Sequence, residues 1–188
     1  MEQIRQYFEQ ICTLSNKDWE LFSSKLDKQL LPKKHLLLKQ GQTENYLSFV
    51  EKGTIRFFIP NEENDVTFAF AFAGNFASSY DSFLTQNPTT YCVETLSETI
   101  LWRISYANLQ QIYNDTEVGN RIGRFASEEL FLKKSKRELS LLTHTAEQRY
   151  LNLFKEQAHV LQLIPLKYIA SYIGITPQAL SRIRKRIS

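Results

Sequence analysis

Between Ile164 and Arg186 the chain has room for two helices and almost nothing between them. Pro165 can occupy the first turn of a helix running to about Ile173, and Gly174 stops it, since glycine tolerates the left-handed conformation that ends helices. Thr176 is a good N-cap and Pro177 a favoured first helical residue, so a second helix begins at once. Two short helices joined this tightly must cross at a large angle. The apolar positions agree, because Ile169, Ala170, Ile173, Ile175, Leu180 and Ile183 can share a small core, with the small Ala170 where the helices approach. The second helix turns Gln178, Ala179, Ser181, Arg182, Lys185 and Arg186 outward. This is the helix-turn-helix pattern, whose second helix is shaped for the major groove of a duplex.

Charge supports that reading. Residues 1–120 hold 10 Lys and Arg against 15 Asp and Glu, whereas residues 121–188 hold 13 against 5. The overall charge of +3 thus conceals an acidic body and a basic end, and the basic end is where a polyanion binds. Donors able to reach base edges and phosphates lie on the outer face of the same helix. No run approaches the ~18 apolar residues of a membrane span, and residues 1–10 carry charges where a signal peptide needs an apolar stretch. Cys12 and Cys92 match no zinc or iron–sulfur spacing, so a reducing, cytoplasmic setting is expected, with no metal and no membrane partner.

Upstream the pattern is different. Residues 1–28 read as two short helices, the second capped at Ser15. From 30 to 104 short apolar runs alternate with turn residues, at 30–39, 47–51, 54–59, 65–72, 91–96 and 99–104, as in an antiparallel sandwich or roll. In 66–73 the alternation is unbroken, so Val66, Phe68, Phe70 and Phe72 share one face, expected to fill the core. Thr67, Ala69, Ala71 and Ala73 share the other, where small side chains suit either a ligand cavity or tight packing in a narrow roll.

Helical signal returns near Asn114 and runs to about Leu142 without a proline. Val118, Ile122, Phe125, Leu132 and Leu139 mark a heptad seam, and further leucines make the helix apolar on a second side. Two apolar faces need two partners, either the roll and the same helix of a second copy or, since Glu129 and Lys136 interrupt the seam, one subunit alone with the helix lying across it. Gly119 and Gly123 weaken helix propensity, which close approach to another helix would explain. Thr143-His144-Thr145 reads as a hinge before a further amphipathic helix.

Taken together, the chain resembles the Crp/Fnr family of bacterial transcription regulators over essentially its whole length, and in particular the short members found in Bacteroidetes. The most specific stretch is 164–186, and the roll is matched more loosely by Lys39-Gln-Gly41, by residues 47–53 and by Gly74-Asn-Phe76. The resemblance implies an α+β chain in three parts. These are a cyclic-nucleotide-binding-like β-roll with flanking helices (1–114), a dimerisation helix and hinge (115–143), and an all-α helix-turn-helix domain (144–188) that ends without the β-hairpin wing of longer members. It implies duplex DNA as partner, a homodimer, and RNA polymerase as a further partner. Gln178 and Arg182 become the base readers, Ser181 a supporting contact, and Lys167, Thr176 and Lys185 phosphate contacts. The dimer helix would use Ile122, Phe125, Leu132 and Leu139, and the effector pocket Gly74, Phe76, Ser79, Thr89 and Thr90.

Departures from the family matter as much. Where nucleotide-binding members carry a Glu for the ribose and an Arg for the cyclic phosphate, this chain aligns Ser79 and Thr89. A buried phosphate would lose its charged partner, which argues against cyclic AMP as effector. No cofactor is evident. A haem or cluster has no ligand set among two cysteines and His35, His144 and His159. An enzyme of the cupin type needs clustered histidines, and the roll segment has only His35, so catalysis is not expected. The competing reading is a small-molecule-sensing or protein-interaction roll with no specific DNA target.

Overall fold

The structure is a computed structural model that describes residues 1–187, and of Glu117 the main chain alone. The expectation of a missing wing lies outside those residues. The chain divides into two compact units, Met1–Phe57 with Phe70–Glu129, and Phe58–Ala69 with Leu130–Ser188. This division runs through the long helix, whereas the sequence placed its boundaries at 114 and 143.

The first unit opens with α1 (Glu2–Glu9) and α2 (Asn16–Ser23), the latter capped by the Ser15 hydroxyl, which accepts from the Asp18 amide at 3.1 Å. Eight strands follow: β1 (Asp27–Leu31), β2 (Leu36–Leu38), β3 (Tyr46–Lys52), β4 (Thr54–Ile59), β5 (Val66–Phe72), β6 (Phe76–Ala77), β7 (Cys92–Thr95) and β8 (Thr99–Ser105). They form two four-stranded sheets of order β1-β8-β3-β6 and β2-β7-β4-β5, an antiparallel β-roll. The apolar run 30–39 is not one strand. Pro32 interrupts it, Lys34 takes a positive φ of 64°, and the halves become β1 and β2 of different sheets.

In the first unit two helices, α3 (Tyr80–Thr85) and α4 (Tyr106–Asp115), go beyond the sequence reading, as does the short helix Ala158–Leu163 in the second. Helices and roll share one core: Ile4, Phe8 and Phe22 pack with Phe49, Phe83, Ile104, Leu109 and Ile112. Of its aromatic pairs, Phe8 with Phe22 at 4.8 Å and Phe49 with Phe76 at 5.1 Å between ring centres meet edge to face, while Phe8 and Phe76 stack.

The alternating strand β5 corrects an expectation. Its fully buried residues are two of the small ones, Thr67 at 1% and Ala71 at 4% exposure, while Val66 is 43% exposed and Phe68, Ala69, Phe70 and Phe72 are half-buried. A narrow interior admits threonine and alanine and turns the large rings outward.

Candidate nucleic-acid interface

The long helix α5 (Glu117–Thr143) starts at Thr116, whose hydroxyl accepts from the Gly119 amide at 2.9 Å. Its two glycines lie where α4 passes close. A Cβ on Gly119 would come within 2.9 Å of the Ile112 side chain and carbonyl, and one on Gly123 within 2.8 Å of the Tyr113 ring, so a larger residue at either position requires its neighbour to shift. Of the seam residues, Ile122 packs against the core of the first unit. Phe125, Leu132 and Leu139 are exposed by 38%, 66% and 57%, and Phe131 and Leu142, which the heptad count did not single out, by 70% and 77%.

In the second unit Thr145 opens α6 (Ala146–Glu156) with a complete capping box: its hydroxyl accepts from the Gln148 amide at 3.2 Å and the Gln148 side chain accepts from the Thr145 amide at 2.8 Å. There follow α7 (Ala158–Leu163), α8 (Leu166–Tyr172) and α9 (Pro177–Ile187). Gly174 takes φ +75°, and the Ile175 amide returns to the Ala170 carbonyl at 3.0 Å, closing the end of α8 as the sequence requires. Arg149 reinforces the turn by donating to the carbonyls of Ile173 at 2.9 Å and of His144. The Thr176 hydroxyl accepts from the Ala179 amide at 3.2 Å and caps α9. Beneath, Ile169, Ala170, Ile173, Leu180 and Ile183 are buried with Tyr150, Leu153, Val160 and Ile164.

All six candidate DNA contacts, Lys167, Thr176, Gln178, Ser181, Arg182 and Lys185, are exposed, five of them within or at the start of α9. The last turn of α9 adds Arg184 and Arg186, of which Arg186 pairs with Glu147. Cations at a helix C-terminus are also favoured by the macrodipole, so the basic end both stabilises the helix and creates a positive surface. Beside it Tyr150, Leu151, Phe154, Arg184 and Ile187 line an open hollow of about 310 Å³.

The candidate effector residues differ in their surroundings. Ser79 and Thr89 are buried and spend their hydroxyls on each other at 2.9 Å. Phe76 packs in the core cluster, and Thr90 is exposed. Gly74 lines a hollow of about 370 Å³ with Gln3, Gln6, Tyr7, Gln10 and Ala73, a lining without a cation. Nearby polar groups are paired as well. The Tyr91 hydroxyl donates to Asp81, and burial together with that carboxylate pushes its pKa up. Glu44 is 3% exposed and accepts from the Tyr46 amide at 3.0 Å; burial pushes its carboxyl above the usual range, against the pull of Arg103 at 3.7 Å. Among the described residues no cluster of three His, Cys, Asp or Glu is placed to hold a metal, and no helix is long and apolar enough to cross a membrane.

Residues 28–116 match the family model of the cyclic nucleotide-binding domain. Solved structures extend the likeness beyond that segment. A variant of CooA from Carboxydothermus hydrogenoformans superposes with a TM-score of 0.72 at 16% identity, over 88% of this chain and 78% of that one. A transcriptional regulator of the Crp/Fnr family from Eubacterium rectale gives 0.70 at 16% identity, over 93% and 83%. The chain has the Crp/Fnr fold. The c-di-GMP-responsive global regulator CLP of Xanthomonas campestris shares it, with a TM-score of 0.69 at 16% identity over 92% of this chain and 91% of its own. No curated protein matches the sequence. The Crp/Fnr fold accounts for the β-roll, the long helix and the helical end that the sequence motifs had indicated.

Proposed function

We propose that this chain is a sequence-specific DNA-binding transcription regulator of the Crp/Fnr type, acting in the cytoplasm as a homodimer and not gated by cyclic AMP. The observation that carries the reading is α9 itself. Leu180 and Ile183 anchor one side at 1% and 9% exposure, while Gln178, Ser181, Arg182 and Lys185 stand on the other in solvent. A helix so mounted can enter a major groove ~12 Å wide with a bidentate donor for guanine and an amide for adenine. The exposed apolar residues of α5 support a second copy, which would present two reading helices to half-sites ~34 Å apart.

The direct test is a gel-shift titration on genomic fragments at two salt concentrations. A preferred fragment and affinity that falls steeply with salt are expected; flat salt dependence with no preference would favour a sensing or protein-interaction module instead. Arg182→Ala should cost about 1–3 kcal/mol on the preferred site and relax base preference there. Lys185→Ala should weaken all sequences alike and lower the salt slope by about one.

A second expectation concerns the roll. With Ser79 and Thr89 bonded to each other, a cyclic phosphate would meet neither the carboxylate nor the guanidinium of nucleotide-binding relatives. Calorimetric titration with micromolar cyclic AMP should therefore show no saturable heat, and Thr89→Arg alone should not create tight binding, because the ribose partner is also missing.

A further inference from the structure

The β4–β5 hairpin tip, residues 58–69, belongs to the same compact unit as the helix-turn-helix. Its strand β5 lies at the edge of its sheet, where unpaired main-chain groups need a partner. One serine supplies it. The Ser171 hydroxyl in α8 accepts from the Thr67 amide at 2.8 Å and donates to the Asp65 carbonyl at 2.9 Å, as one residue of an adjoining strand would. Arg137, from the C-terminal half of α5, closes the same corner. Its Nε donates to the Phe68 carbonyl at 2.9 Å, its Nη2 to the Tyr172 carbonyl at 2.6 Å, and its guanidinium lies 3.8 Å from the centre of the Tyr172 ring. Burial disfavours that charge and lowers the Arg137 pKa, so the contacts hold a cation partly withdrawn from water.

We infer that Ser171 and Arg137 are positioning residues for DNA reading, latching the end of α8 to the hairpin tip so that the turn at Gly174, and with it α9, is held at one angle. This rests on the regulator reading above. The latch grips residues 171 and 172, immediately before the turn, and touches none of the candidate DNA contacts. A loosened latch leaves every donor of α9 in place and lets the helix rock, which harms base readout, since that depends on orientation, far more than phosphate attraction, which does not. The bivalent geometry also demands arginine: a lysine reaches one carbonyl as a point charge and cannot spread a planar group over Tyr172.

The test uses the full-length chain with Ser171→Ala, Ser171→Thr and Arg137→Lys. Two readings are taken: hydrogen exchange at the Thr67 amide without DNA, and affinity for the preferred duplex against a mixed-sequence duplex. In Ser171→Ala the Thr67 amide should exchange faster. Preferred-site affinity should fall roughly three- to tenfold in Ser171→Ala and in Arg137→Lys, the size expected for one or two hydrogen bonds, with mixed-sequence affinity and salt slope unchanged. Ser171→Thr, which keeps the hydroxyl, should restore both. Unaltered Thr67 exchange in Ser171→Ala overturns the latch, and faster exchange with intact selectivity overturns its positioning role. Failure of the regulator reading shows separately and earlier, as a wild-type chain that prefers no duplex.

Discussion

Leu132→Glu is expected to yield a monomer with an intact roll and a loss of about two to four orders of magnitude in affinity for a duplex carrying two half-sites. Leu132 is 66% exposed, so within one copy the change touches solvent and should move stability by no more than about 0.5 kcal/mol. Between two copies the effect is different. In the proposed dimer a two-fold axis along paired α5 helices would set each residue against itself or its near neighbours, so one substitution would bring two carboxylates into a seam of Phe125, Leu132 and Leu139, with Phe131 beside it. Losing the pair loses the second binding event, which linkage had made intramolecular. Light scattering with size exclusion reads the first effect and gel shift the second. A variant that stays dimeric would place the interface on another surface.

Ile169→Ala should destabilise the reading unit by roughly 2–5 kcal/mol, a large share of the ~5–15 kcal/mol that holds a domain folded. Ile169 is fully buried in a helical core too small to collapse around the void. Because Leu180 and Ile183 are buried in the same unit, α9 should lose its footing, and the proposed DNA binding should fall although no candidate contact residue has changed. Ile169→Leu, which conserves volume, should cost under about 1.5 kcal/mol and keep binding. Denaturant titration of the three proteins separates the cavity effect from a change in surface chemistry; equal loss in both variants would mean that packing shape, and not volume, sets the stability.

The helix-turn-helix was legible because its instructions are local: Gly174 for the left-handed turn, Thr176 for the cap and Pro177 for the first helical turn lie within four residues. Strands β4 and β5 were legible for a similar reason, an alternation bounded by turn residues. What escaped was non-local. The face of β5 that is buried depends on how closely the opposite wall approaches, and alternation alone does not carry that distance. Helix α4 directly follows β8, so its ten residues merge with the strand before it, and its presence is what makes Gly119 and Gly123 intelligible. The exposed seam showed as a heptad at Phe125, Leu132 and Leu139, whereas the inward turn of Ile122 did not. The contacts of Ser171 and Arg137 join residues dozens of positions apart to main-chain atoms, which leave no trace in composition or spacing.

The pairing of Arg186 with Glu147 on α6 has a consequence for ion counting. On the proposed DNA-binding reading, a phosphate recruited by Arg186 would have to displace the Glu147 carboxylate, so that arginine would exchange one anion for another and shed fewer small ions than an unpaired cation. Neutralising Glu147 should accordingly steepen the slope of affinity against salt, read by gel shift at several salt concentrations.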